Sequence, residues 1–193
     1  MGKRSNFERV ERDFYPTPLA AVQPLIPHLP NTHFNYIEPC AGDGRLCEHL
    51  LELIPHAVCK FATDIQPLHP NVLEYDAFDV LEDYRLGFHE LPDMVISNIP
   101  WNRAFLHPFI EACMAAGLPT WLLFDADWMH TQQSMTFMKY LSKIVSVGRV
   151  KWIEDSKSTG KDNCCWYLFK PYDGSNRVTE FHGRSPSAGT RRS

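Results

Sequence analysis

The chain has 193 residues, of which 44% are hydrophobic and 22% charged, and its formal net charge is −4. This length and composition predict one globular domain with a hydrophobic core of its own. The negative charge argues against a broad basic surface that wraps duplex DNA, although a local basic groove remains compatible with it.

The cysteine and histidine residues indicate neither a disulfide framework nor a metal site. Six cysteines include no C-x-x-C pair, and nine histidines include no H-x-H or H-E-x-x-H spacing. Most cysteines lie in apolar segments, as buried thiols of a reducing compartment do. The sequence shows no signal-peptide core and no run long enough to span a bilayer. We therefore expect a cytoplasmic protein that binds no metal and no membrane.

The first predicted elements are a short helix, a strand and a longer helix. The short helix begins after Pro18, with Thr17 as a candidate N-cap, and Pro24 limits its length. The first strand, Asn35–Glu38, ends at a Gly-rich turn, and a helix over Arg45–Leu53 follows it.

Strands and helices continue to alternate along the rest of the chain. We predict further strands at Val58–Asp64, within Asn71–Asp76, at Met94–Ser97 and at Pro119–Asp125, and helices at Phe105–Ala116 and Thr131–Leu141. Two final strands, Gly148–Ile153 and Cys164–Phe169, flank a polar loop too short for a helix. This loop length indicates an antiparallel hairpin at one edge of the sheet.

This order predicts an α/β fold with a mostly parallel, seven-stranded sheet, an antiparallel edge hairpin and helices on both faces. We expect a flexible N-terminal arm at residues 1–12, a single domain at residues 13–172 and a disordered basic tail at residues 173–193.

The turn after the first strand, residues 38–44, reads Glu-Pro-Cys-Ala-Gly-Asp-Gly. Its glycines permit a tight turn and a close approach of the backbone to a ligand. Asp64 ends the next strand, where a doubly wound fold places the carboxylate that binds ribose hydroxyls. The glycines are not followed by the Lys-Ser/Thr pair of a P-loop, and their spacing differs from the dinucleotide fingerprint. An adenosine-bearing ligand without phosphates therefore fits better.

A second motif, residues 97–101 with the sequence Ser-Asn-Ile-Pro-Trp, ends the apolar fourth strand. An amide, a Pro-fixed turn and a large aromatic at a strand's carboxyl end can hold a flat, amino-bearing ring. Taken alone, Asn98 is more simply a turn amide and Asp64 a turn cap. The functional interpretation therefore depends on the ordered pair of motifs.

Together the motifs resemble the class I S-adenosylmethionine-dependent methyltransferases, with a Rossmann-like fold. More narrowly, they resemble the compact, phage-type DNA N6-adenine methyltransferases, whose hallmark is Asn/Asp-Pro-Pro-aromatic, which would place the chain in a bacterial cytoplasm. The resemblance covers about residues 13–170. It implies that S-adenosylmethionine is bound by Tyr15, Thr17, Glu38, Pro39, Ala41, Gly42, Gly44, Asp64, Asp76 and Phe78. It implies that the target adenine is held by the catalytic residues Asn98, Ile99, Pro100 and Trp101.

The resemblance also implies how these residues act. The Asn98 side-chain oxygen and the Ile99 backbone carbonyl accept the two N6 hydrogens, so the nitrogen lone pair points at the sulfonium methyl without a strong base. Trp101 stacks on the base after it leaves its helix. The family usually has Pro at the position of Ile99, but a backbone carbonyl serves there with either residue.

Further residues are candidates for contacting the substrate. Trp128, after the fifth strand, either lines the target pocket or packs in the core. Lys157 and Lys161, in the polar loop, either contact a nucleic-acid backbone or form a solvated hairpin tip. Asp125 and Asp127 resemble a metal-binding pair, but they lack His or Glu partners.

The sequence therefore predicts N6-adenine methylation of DNA, at a flipped or single-stranded base. Only about fifty residues separate Trp101 from the predicted hairpin. They leave no room for a sizeable target-recognition domain, so we expect low sequence selectivity. Two alternatives stay open: a methyltransferase acting on an RNA adenine or a protein glutamine, and a non-catalytic cofactor-binding or scaffold module. The sequence gives no indication of the oligomeric state.

Overall fold

The computed structural model describes residues 15–152, 160, 162–175 and 177–184. The helices are α1 (Leu19–Val22), α2 (Arg45–Leu53), α3 (Ala77–Arg85) and α4 (Arg103–Ala115). The strands are β1 (Phe34–Glu38), β2 (Ala57–Asp64), β3 (Leu73–Glu74), β4 (Met94–Ser97), β5 (Thr120–Asp125), β6 (Leu141–Gly148), β7 (Cys164–Phe169) and β8 (Glu180–His182). Short 3₁₀ helices occupy Ile26–His28, Ala126–His130 and Gln132–Phe137. None of the helices in these ranges is long and apolar enough to cross a membrane.

The strands form one mixed sheet in the order β3-β2-β1-β4-β5-β7-β6-β8. Strands β1 to β5 pair in parallel, β7 runs antiparallel to both β5 and β6, and β8 pairs in parallel with β6. The carboxyl ends of β1, β2, β4 and β5 therefore lie at one edge of the sheet. Ligands of open α/β sheets bind at that edge, so the loops that follow these strands are the first place to look for a site.

Helices cover both faces of the sheet. Successive side chains of a strand point to opposite faces. Ile37 and Val95 pack in the core formed with α3 and α4, whereas Tyr36 and Ile96 pack in the core formed with α1 and α2. This three-layer arrangement confirms the predicted α/β architecture.

Two predictions near the antiparallel strands are wrong. The strand that pairs with β7 is Leu141–Gly148, not Gly148–Ile153. The segment Thr131–Leu141 is not an α-helix but contains the 3₁₀ helix Gln132–Phe137. Ser134 Oγ contributes to this tighter geometry, because it lies within hydrogen-bond distance of two nearby backbone carbonyls and such local bonds compete with a regular helix.

The sheet has eight strands instead of the seven expected, because β8 forms within the segment predicted to be a disordered tail. Backbone pairing with β6 holds this segment, and Thr179 Oγ1 donates a hydrogen bond to the Leu141 carbonyl at 2.9 Å. The Arg177 guanidinium adds hydrogen bonds to the carbonyls of Lys170 and Pro171. Edge pairing of this kind uses backbone groups, so a short polar strand carries no apolar pattern.

Candidate active site

The turn from β1 into α2 brings backbone N–H groups to the ligand edge of the sheet. Gly42 and Gly44 have φ angles of 54° and 77°, in the left-handed region that other residues rarely adopt. The Ala41 N–H donates to the Thr63 carbonyl at 2.8 Å, which ties the turn to the end of β2. The two glycines thus form the tight turn that their spacing predicts.

Asp64, the last residue of β2, connects this turn to the following loop. Its Oδ2 accepts a hydrogen bond from the Gly42 N–H at 2.8 Å, and its Oδ1 accepts one from the Gln66 N–H at 2.8 Å. A carboxylate oxygen has two lone-pair positions, so both oxygens retain capacity for a further donor such as a hydroxyl. The carboxylate therefore organises the glycine turn and lies where a ligand on that turn would meet it.

Glu38, at the end of β1, is a buried carboxyl with an exposed fraction of 1%. The Cys47 thiol of α2 donates a hydrogen bond to Glu38 Oε2 at 2.9 Å. Burial raises the pKa of Glu38 well above its ordinary value, although the hydrogen bond from Cys47 opposes this shift. A nearby cation would favour the ionised form. Cys47 has no sequence signal for this role, because a cysteine on an apolar helix face resembles any core residue.

The shifted pKa of Glu38 predicts a pH-dependent stability. The stabilisation that the protonated Glu38 contributes is fully present below pH 4.5, the ordinary pKa of this group in the unfolded chain. It is lost as the pH rises through the higher pKa of the folded protein. Glu38→Gln keeps the shape and removes the ionisation. We therefore expect the unfolding free energy of the wild type, measured against Glu38→Gln by urea titration, to fall as the pH rises above about 4.5. Parallel pH profiles would contradict a buried, protonated Glu38.

Asn98 follows β4 and is held by hydrogen bonds at both ends of its amide. Its Nδ2 donates to the Tyr15 carbonyl at 3.3 Å and to Thr17 Oγ1 at 3.1 Å. Its Oδ1 accepts from Trp101 Nε1 at 3.4 Å. A carbonyl can only accept and an indole N–H can only donate, so these partners determine which end of the amide is oxygen. The oxygen therefore faces the N–H edge of the Trp101 indole.

Aromatic rings surround the second half of this motif. Trp101 is half-buried and meets Trp152 edge-on, with 5.4 Å between ring centroids, and Trp152 also lies 6.5 Å from Tyr15. Ile99 is 2% exposed, and its side chain packs in the core. Pro100 is half-buried between them. The sequence does not indicate that Trp152 lies beside Trp101, because its segment is predicted as a regular strand.

Thr17 belongs to the residues around Asn98. Contrary to the prediction, it does not cap a helix. Pro18 occupies the N-cap of α1, which has no side-chain cap hydrogen bond. The Thr17 side chain is 5% exposed, and its hydroxyl meets Asn98.

Asp76 and Phe78 have structural partners in the first turn of α3. Asp76 is the N-cap of this helix, and its Oδ1 accepts from the Phe78 N–H at 2.8 Å. The Phe78 ring packs on Phe105 of α4, with 5.3 Å between centroids. A contact of either residue with a cofactor stays a prediction.

Of the candidate substrate residues, only Trp128 lies in the described part of the chain. Trp128 is 3% exposed, and its Nε1 donates to His107 Nε2 at 3.1 Å, which fits the core-packing alternative. Lys157 and Lys161 lie outside the described residues.

Asp125 ends β5 without forming a metal site with its neighbours. Its Oδ1 accepts from the Asp127 N–H at 3.0 Å, which makes it the cap of the following 3₁₀ turn. Over the part of the chain that the structure describes, no group of three or more His, Cys, Asp or Glu side chains is arranged to hold a metal ion.

Comparison with known proteins gives matches at the level of structure. Neither a protein-family model nor a curated protein sequence matches the chain. A chain of a type I restriction-modification system matches 95% of this chain and 47% of its own length, with a TM-score of 0.61 and 13% identity. A Listeria monocytogenes protein described as a class I S-adenosylmethionine-dependent methyltransferase matches 87% of this chain and 63% of its own, with a TM-score of 0.51 and 14% identity.

A dimethyladenosine transferase from Plasmodium falciparum matches 82% of this chain and 62% of its own, also with a TM-score of 0.51 and 14% identity. The chain thus spans between 47% and 63% of the length of these three structures. At such low identities the likeness establishes the fold. It confirms the predicted Rossmann-like class I methyltransferase fold.

Proposed function

We propose that this protein transfers a methyl group from S-adenosylmethionine to the exocyclic N6 of adenine in DNA. The observation that carries the proposal is the Asn98 amide at the end of β4. Its nitrogen is held by Tyr15 and Thr17, and its oxygen is turned toward the Trp101 ring. An oriented amide oxygen at the edge of a large aromatic ring can accept a hydrogen from the amine of a flat ligand ring.

The residues at the ends of β1 and β2 fit S-adenosylmethionine, which supplies an electrophilic methyl group on a positively charged sulfur. Gly42 and Gly44 leave the backbone of the turn open to close approach. Asp64 has lone pairs left for two ribose hydroxyls after bonding the Gly42 N–H. The buried Glu38 carboxyl ionises more readily beside a cation, so it matches the ammonium end of such a ligand.

The residues of the second motif would then act on the acceptor. Asn98 Oδ1 and the Ile99 carbonyl accept the two amine hydrogens, which reduces the delocalisation of the nitrogen lone pair into the ring. Trp101 stacks on the base and offsets part of the cost of unstacking it, about a few kcal/mol. Transfer would break the bond between the sulfur and the methyl group, leave S-adenosylhomocysteine and release one N6 proton to solvent. It needs no strong base, since positioning of the amine supplies much of the acceleration. The contact proposed for Ile99 is a backbone carbonyl, which isoleucine supplies as the usual proline does.

The acceptor is tested by incubating the protein with methyl-labelled S-adenosylmethionine and duplex DNA, single-stranded DNA, RNA or whole-cell protein. Digestion and nucleoside analysis are expected to find N6-methyladenine in DNA. Label in RNA adenine or in glutamine, with none in DNA, overturns the DNA proposal. Cofactor binding by calorimetry without transfer to any acceptor would favour a scaffold module.

The glycine turn gives a further expected result. Gly44→Ala forces a side chain into φ +77°, which costs about 1–2 kcal/mol of unfolding free energy, and we expect weaker cofactor binding as the turn adjusts. Gly87→Ala is the matched control, because Gly87 has φ +78° with nothing within 4 Å of an added Cβ. Urea denaturation should find similar losses for both variants. Calorimetry should find lower affinity only for Gly44→Ala, and equal affinities would remove the turn from the cofactor site.

A further inference from the structure

We propose that Thr17 is a positioning residue, which holds the Asn98 amide in the orientation that methyl transfer to an amine requires. This inference rests on the proposed function. It differs from the cofactor contact that the sequence resemblance implies for Thr17. Thr17 Oγ1 accepts a hydrogen bond from Asn98 Nδ2 at 3.1 Å, across 81 residues of sequence.

The orientation matters because an asparagine amide has nearly the same shape when its oxygen and nitrogen exchange places. In one orientation the amide accepts hydrogens from an amine, and in the other it presents hydrogens to it. The Tyr15 carbonyl, which can only accept, and the Trp101 N–H, which can only donate, select the first orientation. The Thr17 hydroxyl accepts a second hydrogen from Nδ2 and so limits rotation of the amide away from it. Thr17 provides the shorter of the two contacts to Nδ2, at 3.1 Å against 3.3 Å for Tyr15.

The Thr17 hydroxyl acts from a backbone with little freedom to move. Pro16 and Pro18 flank it, so both neighbours have a fixed φ and Thr17 itself is restricted to extended conformations. The helix that follows is anchored to the sheet, because Trp166 Nε1 of β7 donates to the Ala21 carbonyl at 2.7 Å. A hydroxyl on such a support can hold its partner in one geometry, which is what an oriented catalytic group requires.

Burial excludes a simple solvent-facing role for this side chain. Thr17 is 5% exposed and makes no capping hydrogen bond to α1. Its hydroxyl is therefore available for Asn98. A valine has nearly the same shape as threonine but no acceptor, so Thr17→Val removes the contact while preserving the volume of the site.

The test measures kcat, with cofactor and DNA both saturating, and the cofactor Kd by calorimetry, in the full chain. Thr17→Val is expected to lower kcat about 10- to 100-fold, because a poorly oriented group costs rate without costing affinity. The cofactor Kd is expected to stay within about twofold of the wild type. Thr17→Ser keeps the hydroxyl and should retain most of kcat.

The pair Thr17→Ala and Thr17→Ser gives the same comparison if Thr17→Val does not fold, since both lack the methyl group and differ only in the hydroxyl. A second readout is independent of activity. In protein labelled with ¹⁵N-asparagine, the Asn98 side-chain amide is identified by its loss in Asn98→Ala. Its resonances should shift or broaden in Thr17→Val and Thr17→Ala, and should stay near the wild-type position in Thr17→Ser.

Three results overturn the proposal. They are an unchanged kcat in Thr17→Val and Thr17→Ala, an increase in cofactor Kd with kcat at saturation preserved, or an Asn98 amide signal that does not respond to loss of the hydroxyl. The second result would identify Thr17 as a cofactor contact instead. These outcomes differ from failure of the proposed function, in which the wild type itself methylates no DNA while the amide resonances still report on the Thr17–Asn98 hydrogen bond.

Discussion

Asn98→Ala is expected to lower kcat for DNA methylation about 10²- to 10³-fold, the usual cost of removing one oriented hydrogen-bonding group from a catalytic site. The alanine removes the oxygen that accepts an amine hydrogen, and the Ile99 carbonyl alone cannot orient the nitrogen lone pair. Cofactor binding should change little, because the residues that fit the cofactor lie at the ends of β1 and β2. Single-turnover kinetics with saturating cofactor measure the rate, and calorimetry measures the affinity.

Asn102→Ala is the matched control for this variant. Asn102 lies four residues further along, caps α4 by accepting from the Phe105 N–H at 2.9 Å, and is exposed. Its loss should cost about 1 kcal/mol of stability and leave kcat unchanged. A wild-type rate for Asn98→Ala, with Asn102→Ala also active, would remove the amide from the mechanism. Equal losses in both variants would point to general destabilisation of the β4–α4 loop.

The elements that were predicted correctly are those whose own pattern of apolar residues determines where they begin and end. The helix Arg45–Leu53 and the strands Met94–Ser97 and Cys164–Phe169 have the bounds expected from their apolar patterns. Elements fixed by contacts distant in sequence were missed or misplaced. Strand β8, for example, depends on pairing with β6. Helix α3 was missed for a different, local reason, because its N-cap Asp76 is equally compatible with a simple turn.

In the candidate site, too, some contacts could be predicted from the sequence and others could not. Parallel strands bring the ends of β1, β2 and β4 to one edge, so the proximity of Asp64 to the Gly42 turn follows from topology and was predictable. The contact between Thr17 and Asn98 joins residues 81 apart, and no local pattern encodes it. The same holds for the hydrogen bond from the Cys47 thiol to Glu38, since the sequence does not show which residue a buried cysteine contacts.

The largest effect on cofactor affinity is expected from Asp64→Ala. The variant loses the carboxylate that would bind two ribose hydroxyls, and it also frees the Gly42 N–H that Asp64 Oδ2 holds at 2.8 Å. Hydrogen bonds to a charged group contribute about 1.5–3 kcal/mol each, so the loss of two corresponds to a Kd about 10²-fold higher or more. Calorimetric titration with S-adenosylmethionine and with S-adenosylhomocysteine measures it, and both ligands should weaken equally because they share the ribose.

Asp125→Ala separates this effect from the loss of a turn cap. Asp125 also ends a strand at the same edge, and its Oδ1 accepts the N–H two residues ahead, as Asp64 Oδ1 does for Gln66. Within the described residues Asp125 forms no hydrogen bond with the glycine turn, so Asp125→Ala should share the stability cost of Asp64→Ala and not the affinity cost. If Asp64→Ala binds both ligands as tightly as Asp125→Ala does, the ribose assignment fails. The acceptor for the ribose hydroxyls must then be sought elsewhere along the carboxyl edge, and Asp76, the N-cap of α3, is another carboxylate that the sequence resemblance names.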